Sequence, residues 1–164
     1  MSVRRRGPWV AAALVTAALA PPLRAQQPRA RLVPEVRIDA IGASPATVQG
    51  AVGVEIPAGF YVRVGVLAGA GASVEDGESA PAGRLDVLAR FLLDPFQQSR
   101  WGFSAGGGIS LLAREGDHVQ PELLVALDLE GPQTANGVSP SIQVGLGGGL
   151  RVGMGLRWGG KGAR

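Results

Sequence analysis

His118 is the only histidine of the chain, and Asp117, Glu115 and Ser110 lie near it in sequence. A histidine with a carboxylate and a hydroxyl is the raw material of base-assisted nucleophilic catalysis. No nucleophile motif surrounds Ser110, however, and a single histidine in a polar turn is ordinarily solvated. The residues therefore predict no catalytic site. Glu75, Asp76 and Glu78 form an acidic cluster in the polar segment 72–81. Clustered carboxylates could hold a divalent cation, or cations that bridge lipid phosphates; a solvated loop is the plainer reading. The glycine runs 106–108 and 147–149 lack a following Lys-Ser/Thr pair and lead into no helix, so they are not phosphate loops. There is no cysteine. Disulfides, thiolate metal centres and a lipid-modified N-terminal cysteine are thereby removed. No cofactor, metal-binding or catalytic residue is expected.

The remaining charges are more telling, because they recur with period two. In a strand that period puts successive side chains on opposite faces. Val36, Ile38 and Ala40 share one face, opposed by Glu35, Arg37 and Asp39. The same alternation runs through Val48, Val52, Val54 and Ile56, then Phe60, Val62, Val64 and Val66. It continues through Leu85, Val87, Ala89 and Phe91, then Phe103, Ala105, Ile109 and Leu111, then Leu123, Val125, Leu127 and Leu129. It ends with Ile142, Val144, Leu146, Leu150, Val152, Met154, Leu156 and Trp158. No charge falls on these apolar faces. Arg37, Arg63, Arg84, Arg90, Arg151 and Arg157 all lie on the other face, with Glu35, Asp39, Glu55, Asp86, Glu122 and Asp128.

A soluble sandwich with one face inward would show the same alternation. Segment length favours a membrane barrel. The strands run about 10–13 residues, against about five or six in soluble sheets, and tilted transmembrane strands need about 9–11. Charge balance points the same way, since equal numbers of both signs can satisfy one another inside a narrow barrel. Glycine there makes room for the arginines.

The N-terminal residues fit this setting. Arg4, Arg5 and Arg6 precede an apolar run over 9–20, followed by Pro21, Pro22 and a small residue at Ala25. That is the grammar of a secretory signal peptide, too short to span a bilayer as a helix. Cleavage is expected after Ala25. The 164-residue chain has 16 basic and 13 acidic residues, net +3. Four of the basics (Arg4, Arg5, Arg6, Arg24) lie in the signal, so twelve face thirteen acids afterwards. The high pI is thus partly a property of the export signal and gives no support for nucleic-acid binding. The expected organisation is a signal peptide over 1–25, a barrel domain over 26–158 and a short polar tail over 159–164.

The final stretch keeps one parity from Ile142 to Trp158. As one strand it would measure about 56 Å, too long for a bilayer. A three-residue loop at glycines 147–149 would preserve the parity and split it in two. Eight strands follow, at roughly 32–41, 46–56, 59–71, 82–93, 101–113, 118–129, 139–146 and 150–158; seven, with one very long last strand, is the alternative. With the N-terminus periplasmic, Phe60, Tyr61, Phe91, Phe96, Trp101, Phe103 and Trp158 all fall at the periplasmic end, as an interfacial girdle would.

In this pattern the chain resembles the small eight-stranded outer-membrane barrels, the OmpA/OmpX-like class. The resemblance implies an all-β, antiparallel, up-and-down transmembrane barrel. The segment Arg151-Val152-Gly153-Met154-Gly155-Leu156-Arg157-Trp158 looks like the C-terminal signal read by the barrel-assembly machinery, although residues 159–164 follow it. The implied partners are that machinery and outer-membrane lipid with lipopolysaccharide. Nucleic acid is not among them, and a monomer is expected. The implied role is structural or envelope-interacting, with the interior filled and no open pore. Two rivals stand beside it. Some barrels of the class modify lipid A with a histidine, a serine and an acid, which would recruit His118. A soluble periplasmic β-sandwich or lipid carrier would never insert.

Overall fold

The computed structural model describes residues 32–96, 98–114 and 118–159. Eight strands form: β1 (Val33–Gly42), β2 (Ala46–Pro57), β3 (Val62–Glu75), β4 (Glu78–Leu92), β5 (Gly102–Arg114), β6 (Gln120–Glu130), β7 (Val138–Leu146) and β8 (Leu150–Trp158). Each pairs antiparallel with its neighbour in sequence, and β8 returns to β1, so the sheet closes as an up-and-down barrel. No described helix is long and apolar enough to cross a membrane, which says nothing of strands. The expected signal peptide, its cleavage point after Ala25 and tail residues 160–164 lie outside the described residues.

Closure needs a stagger. From Ser141, the register partners run through Gly155, Arg37, Ala51, Gly69, Arg84 and Leu112 to Gln120. On the Val125–Leu146 register, Gln120 is level with a point about ten residues beyond Ser141. Eight strands with that stagger tilt by roughly 40° and leave a bore that side chains fill.

Parity holds along every strand and decides the faces; between strands it switches only at the β3–β4 and β6–β7 connections. Inward positions alternate with outward ones along all of β1, whose burial strictly alternates. The outward positions of the strands are valine, isoleucine, leucine, methionine, alanine, glycine, proline and aromatic residues. Ser79 is the one polar residue among them, and none is charged. The buried set is dominated by charged and polar side chains, with a small apolar cluster of Leu88, Leu124 and Ala126.

Two hairpins need their turn residues. The β7–β8 turn falls at glycines 147–149, as the parity requires, so there are eight strands and not seven. Gly148 and Gly149 take φ of 68° and 136°, a region unfavourable for residues with a Cβ. A Cβ at Gly147 would approach Leu124 Cδ1 to 2.9 Å, and one at Gly148 would run into Leu112. The turn thus lies against these leucines.

The second hairpin corrects the expected loop over 72–81. β3 and β4 pair without interruption to Glu75 and Glu78, and only Asp76 and Gly77 form the turn. Their φ values of 51° and 85° are both positive, as a two-residue type I′ turn requires. An Asp-Gly pair is the usual sequence for that turn. The acidic composition around it hid a continuing alternation.

Candidate functional site

The polar face of the sheet closes on itself to make the barrel interior. Six arginines, Arg37, Arg63, Arg84, Arg90, Arg151 and Arg157, meet six carboxylates, Glu35, Asp39, Glu55, Asp86, Asp128 and Glu130, in one connected network. Opposite charges balance, which is what burial in a low-dielectric space demands.

The network has two levels joined by β1. Near the rim that carries the termini, Arg157 reaches Asp128 at 2.8 Å, Glu35 at 3.4 Å, Glu130 at 3.5 Å and Glu55 at 3.7 Å. Arg90 bonds Asp128 at 3.0 Å and pairs closely with Glu55. Arg63 bonds Glu130 at 3.1 Å. Further from that rim, Arg84 pairs with Asp39 and reaches Asp86 at 3.2 Å, while Arg151 holds Asp86 at 2.8 Å. Arg37 spans the levels, with Glu35 at 3.4 Å, Asp39 at 3.2 Å and the side chain of Gln143 beside its guanidinium. Gln143 in turn donates to Asp128 at 2.8 Å.

Glycines at inward positions of β8 give these side chains their space. A Cβ at Gly155 would stand 2.7 Å from Arg37 Cγ. One at Gly153 would stand 3.0 Å from Arg37 Nη2 and collide with the Asp39 carboxylate.

Five of the six carboxylates expected on the inner face are members of the network. Glu122, the sixth, lies on that face half-buried and makes no ion pair among the described residues; Glu130 takes its place. Its even parity with Asp128 was the available signal. The expected β6 stopped one residue short of it.

The residues with catalytic potential are not brought together. Ser110 is buried in the interior, where its hydroxyl donates to Asp86 at 2.6 Å and accepts from Arg151 at 3.1 Å. His118 is exposed in the β5–β6 connection, and Glu115 and Asp117 lie outside the described residues. The acidic trio sits at the β3–β4 tip. Glu75 and Glu78 flank the turn, and Ser44 Oγ stands 3.2 Å from Glu75 Oε1. No group of three His, Cys, Asp or Glu among the described residues converges as a metal site.

The two rims differ. Phe60, Tyr61, Phe91, Phe96, Trp101, Phe103 and Trp158 are all exposed around the rim of the termini. Tyr61 and Phe96 meet edge to face, with ring centroids 6.2 Å apart. At the same rim Gln133 Nε2 donates to the carbonyls of Gly137 and Gly159, at 3.2 and 2.7 Å, and ties down the chain just after β8. The opposite rim carries no aromatic residue among those described. In chemical terms the interior is lined by paired, buried charges, the outer wall is apolar, and one rim is aromatic. No family model matches this chain, and no curated protein matches it significantly.

Proposed function

We propose that the mature chain is a small integral outer-membrane β-barrel with a structural or envelope-interaction role, its interior filled rather than open. One observation carries the reading: the barrel is inside out relative to a water-soluble protein. Its charges are paired in the bore, while its outer wall is uncharged and rich in exposed Val, Ile and Leu side chains. Water would expose that whole band, far more than the few hundred Å² of contiguous apolar surface a soluble monomer tolerates. Lipid covers it at no cost. Ten residues of a strand tilted by about 40° rise roughly 25 Å, the height of a bilayer's apolar belt. The closed sheet also leaves no ladder edge along its seams for lipid to desolvate. A soluble lipid carrier needs the reverse arrangement, apolar within and polar without. The ion-paired bore is a poor container for an acyl chain.

In this reading the chain is exported, loses residues 1–25, meets the barrel-assembly machinery through β8 and remains a monomer among outer-membrane lipid and lipopolysaccharide. Cell fractionation with gel mobility before and after boiling tests it. The expected result is an outer-membrane protein that migrates faster unboiled. Release as a soluble protein by osmotic shock would refute the reading.

A further inference from the structure

The strands end nearly level at the rim of the termini but not at the other. β7 and β8 have nine residues each, whereas β3 and β4 have fourteen and fifteen. Along β8 the path from Trp158 at the aromatic rim up to Leu150 rises roughly 20 Å at a tilt of about 40°. Along β4 the path from Phe91 up to Glu78 rises roughly 33 Å. An apolar belt about 25 Å tall, measured up from the aromatic rim, therefore ends about 5 Å above the β7–β8 turn. The β3–β4 hairpin passes right through it. The wall has a notch over the turn, flanked by β6, which continues from Leu124 to Gln120 after β7 has ended opposite Val125.

The notch bares backbone polar groups inside the height of the belt. The Gly131 N–H bond to Pro140 O turns the odd-numbered β6 residues toward β7. The N–H of Leu123 and the carbonyls of Leu123 and Pro121 thus meet no ladder partner. Leu123 is 74% exposed, more than any other large apolar side chain among the described residues. Beside it Glu122 faces the bore half-buried, without an ion pair among the described residues. Hydrocarbon cannot satisfy such groups. One N–H between two carbonyls is also too short a ladder to hold an added strand.

We infer that the notch takes the polar layer of the outer leaflet: lipid headgroups and their water come down about 5 Å over the β7–β8 turn, and the bilayer is thinned along β6–β8 alone. The inference rests on the membrane reading and adds where on the wall the membrane is thin. Tilting the whole barrel would relieve the mismatch only by carrying the level aromatic rim off its interface.

The chain has no cysteine, so single cysteines report depth without background. Leu123→Cys probes the notch. Its register row runs through Ile109 and Val87 to Val66 and drops about 3 Å per strand with the tilt. Ala70, further up β3, is therefore level with Leu123 on the tall wall, where its partners Gly50 and Gly83 complete the ladder. Val144→Cys marks the paired part of β7 below the turn. Each variant is folded into phosphatidylcholine vesicles, checked by heat-dependent gel mobility, and treated with a charged maleimide on both sides of the membrane. The reacting thiolate forms only where water reaches it, so Leu123→Cys should react about tenfold or more faster than Ala70→Cys or Val144→Cys. Equally slow reaction at Leu123→Cys and Ala70→Cys would overturn the proposal and leave the membrane reading standing. Reaction at Val144→Cys as fast as at Leu123→Cys would overturn it in favour of a frayed β6–β7 seam. Fast reaction at Ala70→Cys in a folded barrel, or failure to fold into vesicles, refutes the membrane reading itself.

Discussion

Replacing Arg157 by methionine should be among the most costly single changes in this chain. The guanidinium touches four carboxylates, three of them fully buried: Asp128 at 2.8 Å, Glu35 at 3.4 Å and Glu55 at 3.7 Å. Glu130, the fourth, is 22% exposed and can be rehydrated, so its pair is discounted. Methionine fills a similar volume but leaves a surplus negative charge in the bore and removes the ion pair between β8 and Glu35 of β1. Breaking a buried pair by deleting one partner costs about 3–5 kcal/mol. With a urea dependence of about 2 kcal/mol per molar, the unfolding midpoint should drop by roughly 1.5–2.5 M. Tryptophan fluorescence of the barrel in detergent micelles reads the transition. Asp128→Asn keeps the shape and removes the surplus charge, so the double variant should be more stable than the sum of the single effects by over about 1 kcal/mol. A midpoint shift under about 0.5 M, or strict additivity, would refute the idea that the interior is held by charge neutrality.

Three further changes test other parts of the account. Val87→Arg places a cation on the outer wall near mid-height; it should cost about 2–4 kcal/mol in a bilayer, whereas a water-exposed substitution changes stability by less than about 0.5 kcal/mol, and urea titration in vesicles separates the two. Gly153→Val forces a side chain into the space of Arg37 and the Asp39 carboxylate, so the heat-dependent mobility shift should be lost, and a normally folding variant would show that the glycine is not a space-maker. His118→Ala should leave both barrel stability and envelope lipid composition unchanged by mass spectrometry; an altered lipid A would establish the enzymatic alternative.

Period-two alternation carries nearly the whole architecture, because a closed antiparallel sheet turns each residue's parity directly into inside or outside. Leu146 and Leu150 share a parity across glycines 147–149, which is why the eighth strand was legible. Asp76-Gly77 was misread because polar residues on both faces of a hairpin tip erase the contrast that alternation needs. Parity also cannot name partners. Arg157 meets Asp128 across β7 because the strands are staggered by about ten residues, and that stagger emerges only from the register of every pair at once. Ser110 shows the same limit from the other side: near His118 in sequence, it belongs to Asp86 and Arg151 in space.

The unequal rims follow from the same register. β3 and β4 pair over fourteen positions, whereas β6 and β7 pair over six. The strand ends near the termini are nearly level, but at the other rim the β7–β8 turn stops on the order of 10 Å below the β3–β4 tip. The Gly131 N–H bond to Pro140 O fixes which β6 residues face β7. By alternation these include Leu123 and Pro121, which lie above the end of β7 and have no ladder partner there. Pro121 has no N–H to leave unpaired, which blunts an edge that would otherwise invite another strand. The rim of the termini, where the strand ends are nearly level, carries every aromatic residue of the described barrel, and the notched, acidic rim carries none.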